Sequence, residues 1–226
     1  MRGDREIQGS SALSQSSERM TLADPIVKER RDAAVAAAHV APLNELVHRI
    51  RSAKGCTDCV PYFDPADGGV EAEVLFVLEA PGPKAVASGF VSCDNPDLTA
   101  RNMTEILSEA KILRKQLVVW NIVPWYLGNG TKISPPTKAE TGAGLVFLRQ
   151  LLPLLPKLKA VVSVGLHSQQ ATKNLDLPAT IQQFASYHPS PRYIHLHPDN
   201  RGRIVQAFSE VAAHLKQSKN SFEMHP

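Results

Sequence analysis

The sequence predicts an α/β fold, a three-layer α/β/α sandwich with a central, largely parallel sheet of four strands. Two observations predict it. From residue 74 onward, short apolar segments alternate with segments of helical periodicity, which is typical of strands joined by crossover helices. The first of these segments, Val74–Leu78, is apolar throughout, as expected for a parallel strand covered on both faces, and it runs into a turn rich in glycine and proline.

The elements follow in order along the chain. Residues 1–23 are rich in Ser, Arg, Glu and Gln and predict a disordered tail, so that residues 24–226 form a single domain. Helical periodicity starts at Asp24 and includes the Ala-rich stretch 33–40 and the residues after Pro42. Four strands are predicted, at 74–78, 117–123, 159–164 and 184–187. The later helices are predicted at 97–112, from the capping box of Thr137 and Glu140, from about Ser168, and around the apolar positions 204–215.

Composition and charge exclude several classes of protein. The chain has 226 residues, 43% of them hydrophobic, and its net charge of +3 is too small for binding polyanions by overall charge. No apolar run is long enough to span a membrane, and the start of the sequence lacks the pattern of a secretory signal. Three cysteines fit a reducing compartment, and we expect free thiols. A soluble, monomeric, cytoplasmic protein without a membrane partner is therefore expected.

Distinctive motifs lie at the carboxyl ends of three of the predicted strands, where ligands of parallel sheets bind. They are Glu79-Ala80-Pro81-Gly82-Pro83, Asn121-Ile122-Val123-Pro124-Trp125 and Tyr187-His188-Pro189-Ser190-Pro191. Their order and placement resemble the uracil-DNA glycosylase superfamily over about residues 54–215, and the first motif is closest to the family 4 turn, with Leu78 in place of its leading glycine. The resemblance implies a monofunctional DNA glycosylase of base excision repair. Such an enzyme flips a deoxyuridine out of DNA, hydrolyses the N-glycosidic bond and leaves an abasic site, so that its partner is uracil-containing DNA.

The resemblance also implies roles for residues of these motifs. The Asn121 amide offers one acceptor and two donors, which suit N3–H and O4 of uracil and reject the inverted edge of cytosine. His188 is the expected donor to O2 of the departing base, and Phe90 the aromatic that stacks on it. Ala80, Pro81 and Gly82 form the turn whose backbone contacts uracil. For each side chain the alternative is a structural role within its loop or the core.

The carboxylate that positions the attacking water is left open by the sequence. Ala80 stands where the best-known branch of the superfamily has a catalytic aspartate, so the candidates are Glu79 and, second, Asp94. Glu79 has an alternative structural role in the turn.

The cysteines depart from the family 4 pattern. That family holds a [4Fe–4S] cluster with four cysteines, of which Cys56 and Cys59 match the first two. Trp125 and Gly144 stand at the other two positions, so we expect no iron–sulfur cluster and no other cofactor or metal.

Contacts with DNA are expected from the last loop. Ser190, Arg192, Arg201 and Arg203 suit phosphate binding, with a weaker candidate in Lys84. Arg192 also follows the third motif at the place where family members insert a side chain into the gap left by the flipped base. The alternative is an ordinary solvated basic surface.

Two other functions are compatible with parts of the sequence. One is a protein of the same fold that binds uracil or abasic sites without cleaving, since the aspartate of the first motif is missing. The other is a zinc hydrolase that uses His195 and His197, which with Asp199 form a short His-x-His-x-Asp pattern.

Overall fold

The structure, a computed structural model, describes residues 20–129 and 133–223. The strands of this part are β1 (Tyr62–Phe63), β2 (Val74–Leu78), β3 (Phe90–Val91), β4 (Leu117–Asn121), β5 (Ala160–Val164) and β6 (Gln182–Ser186). The α-helices are α1 (Pro25–Ala33), α2 (Ala41–Lys54), α3 (Pro83–Ser88), α4 (Leu98–Glu109), α5 (Lys138–Leu151), α6 (Leu166–Thr172), α7 (Pro191–Ile194) and α8 (Asn200–Glu223). Short 3-10 helices lie at Gly69–Glu71, Arg114–Gln116 and Leu152–Leu154.

The central sheet contains the four strands that the sequence predicts. Its order is β4-β2-β5-β6, and all neighbouring strands are parallel. β2 and β5 are central, and every residue of β2 except the last is buried, as its apolar sequence requires. The predicted α/β fold with a parallel four-stranded sheet is confirmed.

Helices cover both faces of this sheet because alternate side chains of each strand point to opposite sides. Leu75, Val77, Trp120 and Val161 pack with α2 and α5 on one face. On the other face, the neighbouring residues of the same strands pack with α4 and α8; they include Val74, Phe76, Val119 and Val162. The two apolar clusters fix the sheet between two helical layers, and this positions the loops at its carboxyl edge.

A second, two-stranded parallel sheet lies beside the main one. β1 pairs with β3, so that Tyr62 lies opposite Phe90 and Phe63 opposite Val91. Phe63 also stacks on Trp120 of β4, with ring centroids 4.4 Å apart. This packing attaches the small sheet, and the loop after it, to the central strands.

Helix starts follow the local sequence. The predicted capping box at α5 is confirmed, since the Glu140 N–H donates to Thr137 Oγ1 at 3.2 Å and the Thr137 N–H donates to Glu140 Oε2 at 2.7 Å. Asp97 caps α4 by accepting the Ala100 N–H. The short α3, which follows the glycine- and proline-rich turn after β2, was not predicted from the sequence.

Some predicted boundaries are wrong. The Ala-rich stretch after residue 33 forms turns. In this stretch the Val35 carbonyl accepts from Asn44 Nδ2 at 2.9 Å, where a continuing helix would pair it with a backbone N–H. β6 begins at Gln182, two residues before its apolar segment, since an edge strand needs only backbone pairing with β5.

The segment predicted as a tail lies mainly outside the described residues. Its described end contains Leu22, which is buried and donates its N–H to the Asp94 carbonyl at 2.9 Å. Within the described ranges, no helix combines the length and the apolar character needed to cross a bilayer.

Candidate active site

A pocket of about 400 Å³ opens where β2 and β4 end. Residues of all three sequence motifs contribute to its wall. The wall residues are Leu78, Ala80, Pro81, Gly82, Pro83, Lys84, Ala85, Val91, Ser92, Cys93, Asn95, Asp97, Thr99, Ala100, Met103, Val119, Asn121, Ile133, His188 and Pro189. The wall is mainly apolar, and a few polar side chains point to one space, which is the usual composition of a small-ligand site.

Backbone hydrogen bonds hold the first two motifs together. Leu78 and Asn121 are register partners at the ends of β2 and β4. Beyond them, the Ile122 N–H donates to the Leu78 carbonyl at 2.8 Å, and the Val123 N–H donates to the Glu79 carbonyl at 3.0 Å. The turn after β2 therefore has a fixed position relative to Asn121.

Asn121 is a buried polar residue of the pocket wall. Its residue surface is only 2% exposed. No hydrogen-bond partner of its side-chain amide lies within residues 20–129 and 133–223. A buried amide without a protein partner is costly unless a ligand or water satisfies it, so this side chain is available to a ligand in the pocket.

His188 enters the pocket from the opposite loop. It packs against Gly165, where an added Cβ would lie 3.4 Å from His188 Cβ. Gly165 itself has φ +86°, a conformation that disfavours any other residue. The next residue in the loop is also fixed, since Asn102 Nδ2 of α4 donates to the Pro189 carbonyl at 2.8 Å.

Burial lowers the pKa of His188 below its usual value, and the Asp97 carboxylate opposes this shift only in part. The imidazole is therefore neutral near pH 7. A neutral imidazole has one N–H donor. This donor can bind an anion or a carbonyl oxygen, and the ring adds no net positive charge to the pocket.

The first motif supplies backbone to the wall. Ala80, Pro81 and Gly82 line the pocket, and Gly82 leads into α3. The N–H groups of Ala80 and Gly82 have no hydrogen-bond partner in the described part of the chain. The turn thus offers two backbone donors in the wall that also contains Asn121.

The two carboxylates proposed from the sequence lie outside the pocket wall. Glu79 is partly buried in the turn but does not line the pocket. Asp94 binds two arginines, with Oδ2 at 2.6 Å from Arg31 Nη2 and 2.6 Å from Arg114 Nη1. The wall carboxylate is instead Asp97, which sequence reasoning treated only as the start of a helix.

Asp94 belongs to a partly buried ion cluster behind the wall. Arg114 Nη2 lies 2.7 Å from Asp64 Oδ2, and Arg114 Nε lies 2.7 Å from Asp67 Oδ1. Ser92, whose hydroxyl donates to Asp64, is part of the pocket wall. The cluster therefore fixes the segment after β3 that forms one side of the pocket.

Cys93, next to Ser92, is a further wall residue. Burial raises the pKa of its thiol to about 12, and the nearby Asp67 carboxylate adds to this effect. The thiol stays protonated at neutral pH, so Cys93 contributes an apolar surface and no nucleophile.

Phe90, proposed as the stacking aromatic, does not reach the pocket wall. It is 1% exposed, and its ring packs against Tyr62, with ring centroids 6.3 Å apart. The Lys28 ammonium lies over the Phe90 ring. Neighbouring residues of a strand point to opposite sides, and Val91 is the one that lines the pocket. Among the described wall residues there is no Phe, Tyr or Trp, so aliphatic side chains form the apolar surface.

The proposed DNA-binding residues differ in how exposed they are and in whether another side chain already binds them. Arg192 and Arg203 are exposed after His188, and Lys84 is exposed on the pocket wall. Ser190 caps α7, with its Oγ accepting the Tyr193 N–H. Arg201 binds both Glu109 oxygens through its guanidinium and lies 3.9 Å from Glu105, so its charge is already neutralised.

The cysteine pair lies close to the second motif but does not suit an iron–sulfur cluster. Cys56 and Cys59 form a disulfide, so the expectation of free thiols is wrong for this pair, and the Cys59 carbonyl accepts the Tyr126 N–H at 2.9 Å. Trp125 is buried in the core. A Cβ at Gly144 would lie 1.9 Å from the Ile122 carbonyl oxygen, so the backbone leaves no room there for a cysteine ligand.

A site for the zinc hydrolase is not found among the described residues. There, no three His, Cys, Asp or Glu side chains come close enough to hold a metal ion. His197 Nδ1 lies 3.5 Å from Asp199 Oδ2, and both side chains are more than half exposed.

Comparison with known proteins agrees with the sequence motifs. The family model of the uracil DNA glycosylase superfamily matches residues 65–212, well over half of the chain. The chain belongs to this superfamily. Among solved structures, the fold is similar to that of a mimivirus UNG variant crystallised in complex with UGI, with 16% identity over 75% of this chain and 71% of that chain and a TM-score of 0.37. No curated protein matches the sequence.

Proposed function

We propose that this protein is a monofunctional DNA glycosylase that excises uracil from DNA and leaves an abasic site. The observation that carries the proposal is the Asn121 side chain, a buried amide without a protein partner in the described residues, which shares a pocket with His188. Membership in the uracil DNA glycosylase superfamily supports glycosylase chemistry in this pocket.

Recognition of uracil follows from the two ends of the Asn121 amide. The carbonyl oxygen accepts N3–H of the base, and the NH₂ group donates to O4. Cytosine has an acceptor at N3 and a donor at C4, so both contacts would become unfavourable. A pocket that leaves buried polar groups unpaired with the wrong ligand discriminates strongly.

The chemical step needs stabilisation of the departing base. Cleavage of the N1–C1′ bond leaves negative charge on uracil, much of it on O2. The N–H of neutral His188 donates to O2, and the backbone donors of Ala80 and Gly82 add further stabilisation of the anion. Because these donors are fixed by packing and hydrogen bonds, they need little reorganisation as the charge develops.

We assign DNA binding to Arg192, Arg203 and Lys84. Ser190 fixes the backbone next to Arg192, because its side chain caps α7. These cations are exposed: Lys84 lies in α3 on the pocket wall, whereas Arg192 in α7 and Arg203 in α8 follow His188 in the chain. They suit contacts with phosphates on either side of a flipped nucleotide. Binding is then sensitive to salt concentration. Arg201 is left out because Glu109 already binds its guanidinium.

Within the superfamily we place the protein near family 4, on the strength of its first and third motifs, but without that family's cluster. The buried Trp125 and the crowded Gly144 support this departure. We infer that excision proceeds without a metal or an iron–sulfur cofactor.

The direct test is excision from a labelled oligonucleotide with one central uracil, in single- and double-stranded form, followed by alkali to cleave abasic sites. We expect cleavage that EDTA does not affect. Tight binding without cleavage would instead support the non-catalytic alternative, and cleavage lost on chelation would overturn the metal-free mechanism.

Two variants connect the activity to this pocket. His188→Ala is expected to slow cleavage about 10²- to 10³-fold, the usual effect of losing one donor to a developing anion. Asn121→Asp replaces the donor to O4 with an acceptor, so the preference for uracil over cytosine should fall. Full activity and full selectivity in both variants would overturn the site assignment.

A further inference from the structure

Asp97 is a polar wall residue to which the mechanism above gives no role. It lines the pocket together with Asn121 and His188. It is the one acidic side chain in that wall among residues 20–129 and 133–223. It is also the N-cap residue that directly precedes α4.

The carboxylate is held in place by one of its oxygens. Asp97 Oδ1 accepts the Ala100 N–H at 2.9 Å, and the Asp97 N–H donates to the Asn95 carbonyl at 2.9 Å. In the described part of the chain, neither a second hydrogen bond nor an ion pair occupies Oδ2. The cap thus orients the group and leaves one oxygen available.

The charge of Asp97 acts inside the pocket. His188 lines the same pocket, and the Asp97 carboxylate raises its pKa against the opposite effect of burial. By contrast, Asp94 is neutralised by Arg31 and Arg114, and Glu79 is outside the wall. A carboxylate that has no ion-pair partner among the described residues, in a mainly apolar pocket, interacts strongly with any positive charge that develops there.

We propose that Asp97 is the carboxylate that stabilises the cationic sugar and accepts the proton of the attacking water. This rests on the proposed excision of uracil. As the C1′–N1 bond breaks, its electron pair stays with the base and C1′ becomes positive. The water oxygen then bonds to C1′ and its proton passes to Asp97. That proton is released to solvent while the uracil anion takes one up, giving neutral uracil and a C1′ hydroxyl.

The variant that tests this role is Asp97→Asn. Asparagine caps helices as well as aspartate and has the same shape, so the substitution removes the charge and keeps the fold. The single-turnover excision rate should fall by about 10²- to 10⁴-fold, the range for loss of a general base. Affinity for an oligonucleotide containing 2′-fluoro-deoxyuridine, which resists cleavage because fluorine disfavours a cationic sugar, should be unchanged, as should the midpoint of thermal unfolding.

A matched control is Asp176→Asn. Asp176 is exposed in the connection between α6 and β6, away from the pocket wall, and its substitution changes the net charge equally. Its excision rate should equal that of the wild type.

The outcomes separate this proposal from the function on which it rests. If the wild type excises uracil and Asp97→Asn does so equally fast, the role of Asp97 is overturned and the function stands. A fall in affinity that matches the fall in rate makes Asp97 a binding residue and overturns its role toward water. Absence of excision by the wild type overturns both.

Discussion

Asn102 and Pro189 are 87 residues apart in sequence, yet the Asn102 side-chain amide donates to the Pro189 carbonyl at 2.8 Å. Asn102 lies in α4, and Pro189 directly follows His188. This hydrogen bond joins the helix that carries Asp97 to the loop that carries the proposed anion donor. The geometry of the pocket therefore depends on how α4 docks on the sheet.

Asn102→Ala should weaken both stability and excision. The buried Pro189 carbonyl would lose its partner, which costs about 1 to 3 kcal/mol in the free energy of unfolding. The loop would also hold His188 less precisely, so the single-turnover rate should fall. Urea unfolding and the excision assay measure the two effects.

A double-mutant cycle separates positioning from general destabilisation. If Asn102 acts through His188, its substitution should slow excision in the wild type but not in a His188→Ala background. Arg101→Gln, a change at an exposed neighbouring position of α4, serves as the control with unchanged rate. Equal slowing in both backgrounds would contradict a positioning role.

Two glycines of α5 should respond to alanine in opposite directions. An alanine Cβ at Gly144 would lie 1.9 Å from the Ile122 carbonyl oxygen, whereas nothing lies within 4 Å at Gly142. We expect Gly144→Ala to destabilise by about 1 to 3 kcal/mol through overpacking. Gly142→Ala should stabilise by about 1 kcal/mol because alanine is the better helix former.

Urea unfolding of the two variants checks this pair. A stabilising Gly144→Ala would show that α5 can move away from the second motif. The close approach described here, and with it the reason that no cysteine fits at this position, would then be wrong.

The fold could be predicted from the sequence because its signals are local. Apolar runs such as Val74–Leu78 mark buried strands wherever they occur, and strand ends in a parallel sheet share one edge. That is why the loops of Asn121 and His188 could be placed together before the structure was known, and both residues line the same pocket.

The remaining site residues depend on contacts that no local pattern contains. Asp97 has the sequence pattern of a helix cap. It lines the pocket only because of where α4 packs in the fold. Phe90 lies outside the wall because β3 pairs with β1 in the register that presents Val91. Arg201 is neutralised by Glu109, 92 residues earlier in the chain.

Arg114→Met should be among the most destabilising single changes. It would remove the cation that pairs with Asp64, Asp67 and Asp94. Arg31 would still pair with Asp64 and Asp94, whereas the buried Asp67 carboxylate would lose its ion pair within the described part of the chain. Removing one partner of a buried ion pair costs about 3 to 5 kcal/mol, and urea unfolding at pH 7 should show a loss of this size. Excision should also fall, since this cluster fixes the wall segment around Ser92.

A matched control for this change is Arg149→Met. Arg149 is exposed on α5, so the same substitution there should alter the free energy of unfolding by less than about 0.5 kcal/mol. Similar small effects at both positions would mean that the ion cluster contributes little net stability.

The stability of the protein should depend on pH through His188. Its pKa in the folded protein is lowered from 6.5, chiefly by burial. Below pH 6.5 the unfolded chain therefore binds a proton on this imidazole that the folded protein does not bind. Stability rises with pH where the unfolded state binds more protons, so acidification from pH 7 toward pH 5 should destabilise the fold through this group.

The comparison that isolates this effect is His188→Gln, which cannot titrate. The free energy of unfolding, measured in urea at a series of pH values, should fall more steeply on acidification in the wild type than in the variant. The difference in slope is limited to about 1.4 kcal/mol per pH unit for one proton. All other titrating groups are common to both proteins, so equal slopes would mean that folding does not lower the pKa of His188. The imidazole would then be partly charged near pH 6.5, and donation from a neutral ring to the uracil anion would no longer describe the site.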